Sequence, residues 1–388
     1  MPSNPALAAR VLGTALLAAT LLAATLLAAS GARAQVGDDD RKAWPKTDFT
    51  KRTINLAEIQ HGGPPKDGIP AIDRPRFDTA SQARDWLAPQ EPVIVLRLSG
   101  QARAYPLQIL MYHEIVNDVV AGIPVAVTFC PLCNASLVFD RRVGSRILDF
   151  GTTGRLRKSD LVMYDRQTET WWQQFTGQAI VGALAGTQLK MLTAEVVAFD
   201  AFRAAYPLGE VLSRRTGHTR PYGNNPYRGY DRVGQNPFLF DDPVDARLPA
   251  MERVLAVMLG GRTRLHPFAQ LEKQAVANES LMGTPYVVLA LSRMRSALDA
   301  SRIEDGRLIP AASAFLREAA GKTLDFVEQG GVIVDTQTGS RWNEFGEATA
   351  GPLRGKQLEA VPGGVHFAFA WLAFRPDAEI AGQPDRSN

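Results

Sequence analysis

Both cysteines of the 388-residue chain, Cys130 and Cys133, fall in one short stretch, VTFCPLCNAS, Val127 to Ser136. Two thiols three residues apart can close a reversible disulfide or present two thiolates to one metal ion. As a structural staple the pair is weak: a loop of four residues removes about 2 kcal/mol of unfolded-state entropy, against nearly 5 for a hundred-residue loop. In thioredoxin-like sites the first cysteine opens a helix, whereas CPLCNASLVFD runs into a strand-like segment, so that fold is not supported. A metal would need further ligands, and the sequence holds no second Cys-x-x-Cys. Of the five histidines, His113 is the best placed, because a strand and a turn could return it to Cys130; His266 is a weaker candidate. Two thiolates, an imidazole and a weak fourth ligand suit copper; a second histidine or a carboxylate in fourth place suits zinc. The run HEIVN is not a zincin motif, since Asn117 stands where the second histidine belongs. The reading is therefore a thiol-redox or metal (copper or zinc) centre. Cys130 and Cys133 are its reactive thiols or ligands, His113 a ligand or proton partner, and Glu114 an orienting group. An inert cysteine pair and a core histidine are the plain alternatives.

Other candidates are loop residues. FGTTGRLRKSD, Phe150 to Asp160, could cradle an anion beside Arg155, with a plain surface turn as the commoner explanation. The stretch Ser213 to Phe238 is rich in Gly, Pro, Arg and Asn, yet carries Tyr222, Tyr227 and Tyr230, which argue against disorder. His218, Arg220, Tyr222 and Tyr227 are its candidate ligand-loop residues. They support a rival reading: a non-catalytic periplasmic binding protein with a ligand groove between two halves. No nucleophile–base–acid order of a hydrolase is legible, and no nucleotide cofactor is expected.

The elements that must position these groups come in two sets. GQARAYPLQILMYHEIVNDVVAGIPVAVTFCPLCNAS, from Gly100, aligns without a gap to GRTRLHPFAQLEKQAVANESLMGTPYVVLALSRMRSA, from Gly261. Farther on, Asp165, Thr168 and Trp172 match Asp335, Thr338 and Trp342. This reads as an internal duplication. Cys130 faces Leu291, Cys133 faces Met294, His113 faces Gln274 and Glu114 faces Ala275, so the reactive groups sit in one copy only. VIVLRL, IPVAVTF, SLVFDRR, DLVMYD, QAIVGAL, YVVLALS and GVIVD are short strand-like runs. PLQILMYHEIVND reads as a helix, and AFDAFRAAYP and AFAWLAFRPD as matched short helices. The predicted class is α+β, mainly β, with two pseudo-equivalent strand-rich halves packed together. The divisions are a signal peptide (1–34), an N-terminal extension with a Gly/Pro-rich loop (35–92), repeat 1 (93–212), an inter-repeat loop (213–253), repeat 2 lacking the Cys/His site (254–377), and a tail (378–388).

Arg10, an apolar run from Val11 to about Ala29 and the Ala32-Arg33-Ala34 end predict a secretory signal cleaved before Gln35, with an uncleaved anchor as the alternative. Export to the periplasm or beyond places the thiols in an oxidising compartment. Without Arg10 and Arg33 the chain has 41 basic and 40 acidic residues, a balance that implies neither nucleic acid nor an anionic membrane. No later run is long enough to span a bilayer. The expected partner is a small ligand, a metal ion or another thiol. With GGPPKDGIPAI, RAYPLQILMYHEIVND, PVAVTFCPLCNASLVFDR, LVMYDRQTETWWQQFTGQAIVGALAG and TGHTRPYGNNPYRGYD in view, the chain resembles the domain-of-unknown-function 3179 family of exported and membrane-associated prokaryotic proteins. The resemblance spans about Ile59 to Pro376. It implies an exported protein with a Cys-x-x-Cys site and supplies no reaction.

Overall fold

The structure, a computed structural model, describes residues 38–384. The expected signal peptide lies outside the described residues. Among these, no helix is long and apolar enough to cross a membrane. With 41% strand and 10% helix in many small sheets, the fold is mainly β.

Strand Ile123–Cys130 lies between Ile115–Val120 and Ala135–Asp140, with Lys190–Leu192 on the outer edge. Its residues from Pro124 to Cys130 are all buried, so it reads as a continuous apolar run rather than an alternating one. A second sheet orders Ile59–His61, Phe150–Arg157, Asp160–Asp165, Trp171–Gln173 and Gln178–Val181. The two are tied by Asn117, whose amide donates to Phe150 O (2.8 Å) and whose Oδ1 accepts from Phe150 N (2.9 Å). The same pair of bonds joins Asn278 to Phe326, at 2.8 and 2.9 Å. Asp165 accepts from Trp172 Nε1 at 3.0 Å, and Asp335 from Trp342 Nε1 at 2.9 Å. Strand Gln101–Pro106 pairs in parallel with Glu210–Leu212, as Arg262–Pro267 does with Glu379–Ile380.

Two local expectations are corrected. The helix read over Pro106 to Asp118 is only Leu107–Leu110; the chain then turns at His113 and Glu114 and enters strand Ile115–Val120. The β-branched Ile115, Val116, Val119 and Val120 favour the strand, and Glu114, at φ 57°, breaks the helix. The Gly-Thr-Thr-Gly stretch is no surface turn. It is a bulge within Phe150–Arg157, where the register shifts between Thr152 and Arg155. A Cβ on Gly154, at φ 70°, would lie 1.9 Å from Pro64 O. Helices Phe199–Ala205 and Ala368–Phe374 form where AFDAFRAAYP and AFAWLAFRPD predict them.

No helix or strand lies between Leu212 and Arg253. That segment is nevertheless pinned. Asn225 bonds Ser301 O through its backbone N–H (2.8 Å) and Ala300 O through its side chain (3.0 Å). The fully buried Asp231 carboxylate accepts from Arg253 (2.8 Å), Arg307 (2.8 Å) and Ser296.

Candidate metal centre

Cys130 ends its strand and Cys133 follows in the turn that Asn134, at φ 49°, reverses into Ala135–Asp140. A main-chain bond from Phe367 N to Cys133 O (2.9 Å) clamps this turn from the distant strand Gly363–Phe367. Both sulfurs are free thiols and both residues are buried. Asp160 comes from the neighbouring sheet. It begins a strand after the two-residue turn Lys158–Ser159, whose φ values of 53° and 65° are those a tight primed hairpin demands. Lys158 holds that turn in place by donating to Ala373 O (3.0 Å) and pairing with Asp242 (2.9 Å).

Cys130 Sγ, Cys133 Sγ and a carboxylate oxygen of Asp160 lie within 4.8 Å of one another, and all three residues are buried. Asp160 Oδ2 is occupied: it accepts from Gln173 Nε2 (2.6 Å) and Phe175 N (2.9 Å). Asp160 Oδ1 is buried and has no protein partner. Burial raises the Asp160 carboxyl to about 7, against the hydrogen bonds from Gln173 and Phe175, which lower it. Burial likewise pushes both thiols up, Cys133 further than Cys130. Glu114 is raised to about 8, first by burial and then by the charge of Asp160. Two acids and two thiols thus share a dry region, where each ionisation is costly. Tyr227 and Tyr230, from the 213–253 segment, stand over this region. Burial raises the Tyr227 hydroxyl, and then Glu114 and Cys130 act on it; Cys133 and Cys130 act on Tyr230.

The predicted residues divide into two groups. Cys130, Cys133, Glu114 and Tyr227 come together. His113 belongs elsewhere: its Nδ1 meets Pro70 O (2.7 Å) and its Nε2 meets Tyr222 Oη (2.6 Å). The His218 ring is 5.3 Å from it and Thr216 Oγ1 bonds Tyr222 Oη at 2.6 Å, with Arg220 close enough to act on His113. The group gathered with the sulfurs is therefore Asp160, not His113. Arg155 lies in the bulged strand opposite His61 and Val162 rather than on an anion-binding loop. His266 meets Tyr286 Oη at 2.8 Å in the second half. Sequence reasoning missed Asp160, Gln173 and Tyr230. A signal existed for the first: an acid opens a strand-like run in one half, where the corresponding hairpin strand of the other begins with Val332.

A family model described as a protein of unknown function (DUF3179) matches residues 66–378. No curated protein and no solved structure matches the chain.

Proposed function

The chain belongs to the DUF3179 family, whose description names no activity, so we propose from the geometry alone that it is an exported metal-binding protein with zinc held by Cys130, Cys133 and Asp160. The observation that carries this reading is Asp160 Oδ1, a buried acceptor without a partner beside two thiols. Buried polar atoms are normally satisfied, and an orphan marks a strain site, a catalytic role or an absent ion. The donor set fits zinc. Tetrahedral zinc with thiolate and carboxylate ligands needs ligand atoms about 3.5–3.8 Å apart, which a modest closing of the present cluster supplies. A carboxylate beside the sulfurs favours zinc over copper(I), which prefers soft ligands alone. A bound dication would also reverse the upward push on the thiols and the carboxyl. Glu114 is close enough to act on Asp160 and Cys130 but lies outside the cluster of ligand atoms, which leaves the fourth position to water. The chain's own work is to fix the sulfurs by the Phe367–Cys133 bond, to orient Asp160 through Gln173 and Phe175, and to exclude water with Tyr227 and Tyr230.

Thiol exchange is less well supported, because a buried thiol with a raised pKa is a poor nucleophile. Duplication of an ancestral unit, with repeats at 93–212 and 254–377, is supported by the recurring Asn–Phe and Asp–Trp bonds. A crystal structure whose halves failed to superpose would remove it. The Val11–Ala29 run supports export, which mapping the N-terminus of the protein recovered from periplasm tests.

The function is tested by counting metal on the purified chain after equilibrium dialysis against zinc. One zinc per chain is expected, lost in Cys130→Ser, Cys133→Ser and Asp160→Asn but kept in His113→Gln. Equal zinc in wild type and Asp160→Asn would end the proposal. A metal-free chain that reversibly forms one disulfide near its compartment's potential would put thiol redox in its place.

A further inference from the structure

Away from the sulfurs, a cavity of about 440 Å³ opens between residues 84–91, the turn at 302–304 and the segment carrying Arg214, Tyr222 and Asn224. Its volume is that of a small-molecule site. Its walls are tied together: Ile303 N donates to Gly223 O at 2.9 Å, and Tyr112 Oη to Asn224 O at 3.1 Å.

Of the charges lining this cavity, Arg84 and Asp85 are exposed to solvent. Glu304 is held by Arg302, whose Nε lies 2.8 Å away. Glu91, deep in the floor, accepts from Ala88 N (3.1 Å) and Gln108 Nε2 (2.8 Å). Arg214 is half-buried, and no carboxylate lies within 4.0 Å of it. Instead its Nε and Nη2 both donate to Gln108 Oε1, at 2.8 and 2.5 Å, and its guanidinium lies 5.0 Å over the Trp86 ring. Gln108 is itself fully buried and fixed by Glu91. The guanidinium is therefore held in one orientation by a buried amide and an aromatic face, while Nη1 has no protein partner. Glu91 and Glu304 act on it only from beyond ion-pair distance, and a planar cation fixed in advance beside an open cavity, with no carboxylate in contact, is the arrangement that recognises a carboxylate or a phosphate group.

We infer that this cavity is a binding site for a small carboxylate- or phosphate-bearing anion, with Arg214 as its anchor. The site goes beyond the metal centre and does not depend on it. Asn224, exposed on the rim, is the position from which the ligand's charge is felt without disturbing the fold.

Isothermal calorimetry with inorganic phosphate and with malonate, on the full protein at fixed ionic strength, tests this. One or both should bind at one site per chain, and the tighter of the two identifies the group recognised. Arg214→Gln should weaken binding about tenfold or more, the loss of a charge-assisted pair. Since Arg214 also packs on Trp86, Asn224→Asp serves as the second variant: it adds a negative charge at an exposed position and should weaken binding several-fold. Failure of both anions to bind the wild type, or unchanged affinity in Asn224→Asp, overturns the inference. So does a folded Arg214→Gln that binds like the wild type.

Discussion

At the scale of residues, the candidate centre is defined by what its groups lack. Asp160 and Glu114 are buried acids held neutral by their surroundings, at about 7 and about 8. Both lie above their unfolded values, so the native state binds more protons than the unfolded chain near neutrality. The metal-free protein should therefore lose stability as pH rises from about 6.5 to about 8. Below pH 6.5 the histidines oppose the acids, whose own contribution keeps growing more favourable down to their unfolded values of about 4. Burial depresses His113, His266 and His366 to about 4, 4 and 3, so their contribution to stability is lost as pH drops below their unfolded value of 6.5, against the gain from the acids. Glu114→Gln stays neutral throughout and should remove on the order of 1–2 kcal/mol of the loss between pH 6.5 and 8. Urea unfolding of both proteins at the two pH values measures this. A metal-free wild type that gains stability over that interval would show that these acids are not held neutral. Zinc should invert the slope, because its ligands bind deprotonated.

At the scale of elements, two hairpins and a bulge converge on the site. The strand before Cys130 was legible from its apolar run. The Lys158–Ser159 turn was not, because neither residue has the usual preference for positive φ and only tertiary anchoring holds it there. The helix expected at Tyr112 and His113 failed for a related reason: helical spacing over a few residues is shared by a turn leading into a buried strand. His113 looked like a ligand because it is near Cys130 in sequence, whereas Pro70 and Tyr222 claim both its nitrogens. Asp160 was hidden because its partners arrive from another sheet, 30 residues along the chain. Gly154 permits that sheet to press against the Gly-Pro-Pro segment. Gly154→Ala combines a positive φ with a clash against Pro64 O, and should lower the melting temperature by more than about 5 °C. A thermal melt within about 2 °C of wild type would show that the bulge relaxes freely.

At the scale of the whole molecule, the long 213–253 segment is secured through ion pairs to Arg253 and Arg307. Its lock is Asp231, buried between Arg253 and Arg307. Asp231→Ala leaves Arg253 buried without its carboxylate and should cost about 3–5 kcal/mol. Because Tyr227 and Tyr230 belong to the same segment, the variant should also release zinc faster to a chelator and be cleaved within 213–253 by dilute protease. Unchanged zinc release and protease resistance together would detach the segment from the site. Elements distant in the chain thus serve the site, through Asp231's partners Arg253 and Arg307 and through Phe367 on Cys133. All of these elements enclose one small cluster, so the most direct measurement is X-ray absorption at the zinc edge of the zinc-loaded protein. Two sulfurs at about 2.3 Å with oxygen ligands at about 2.0–2.2 Å are expected, one oxygen being lost in Asp160→Asn. A first shell of nitrogen and oxygen alone, without sulfur, would contradict the assignment of Cys130 and Cys133 as ligands.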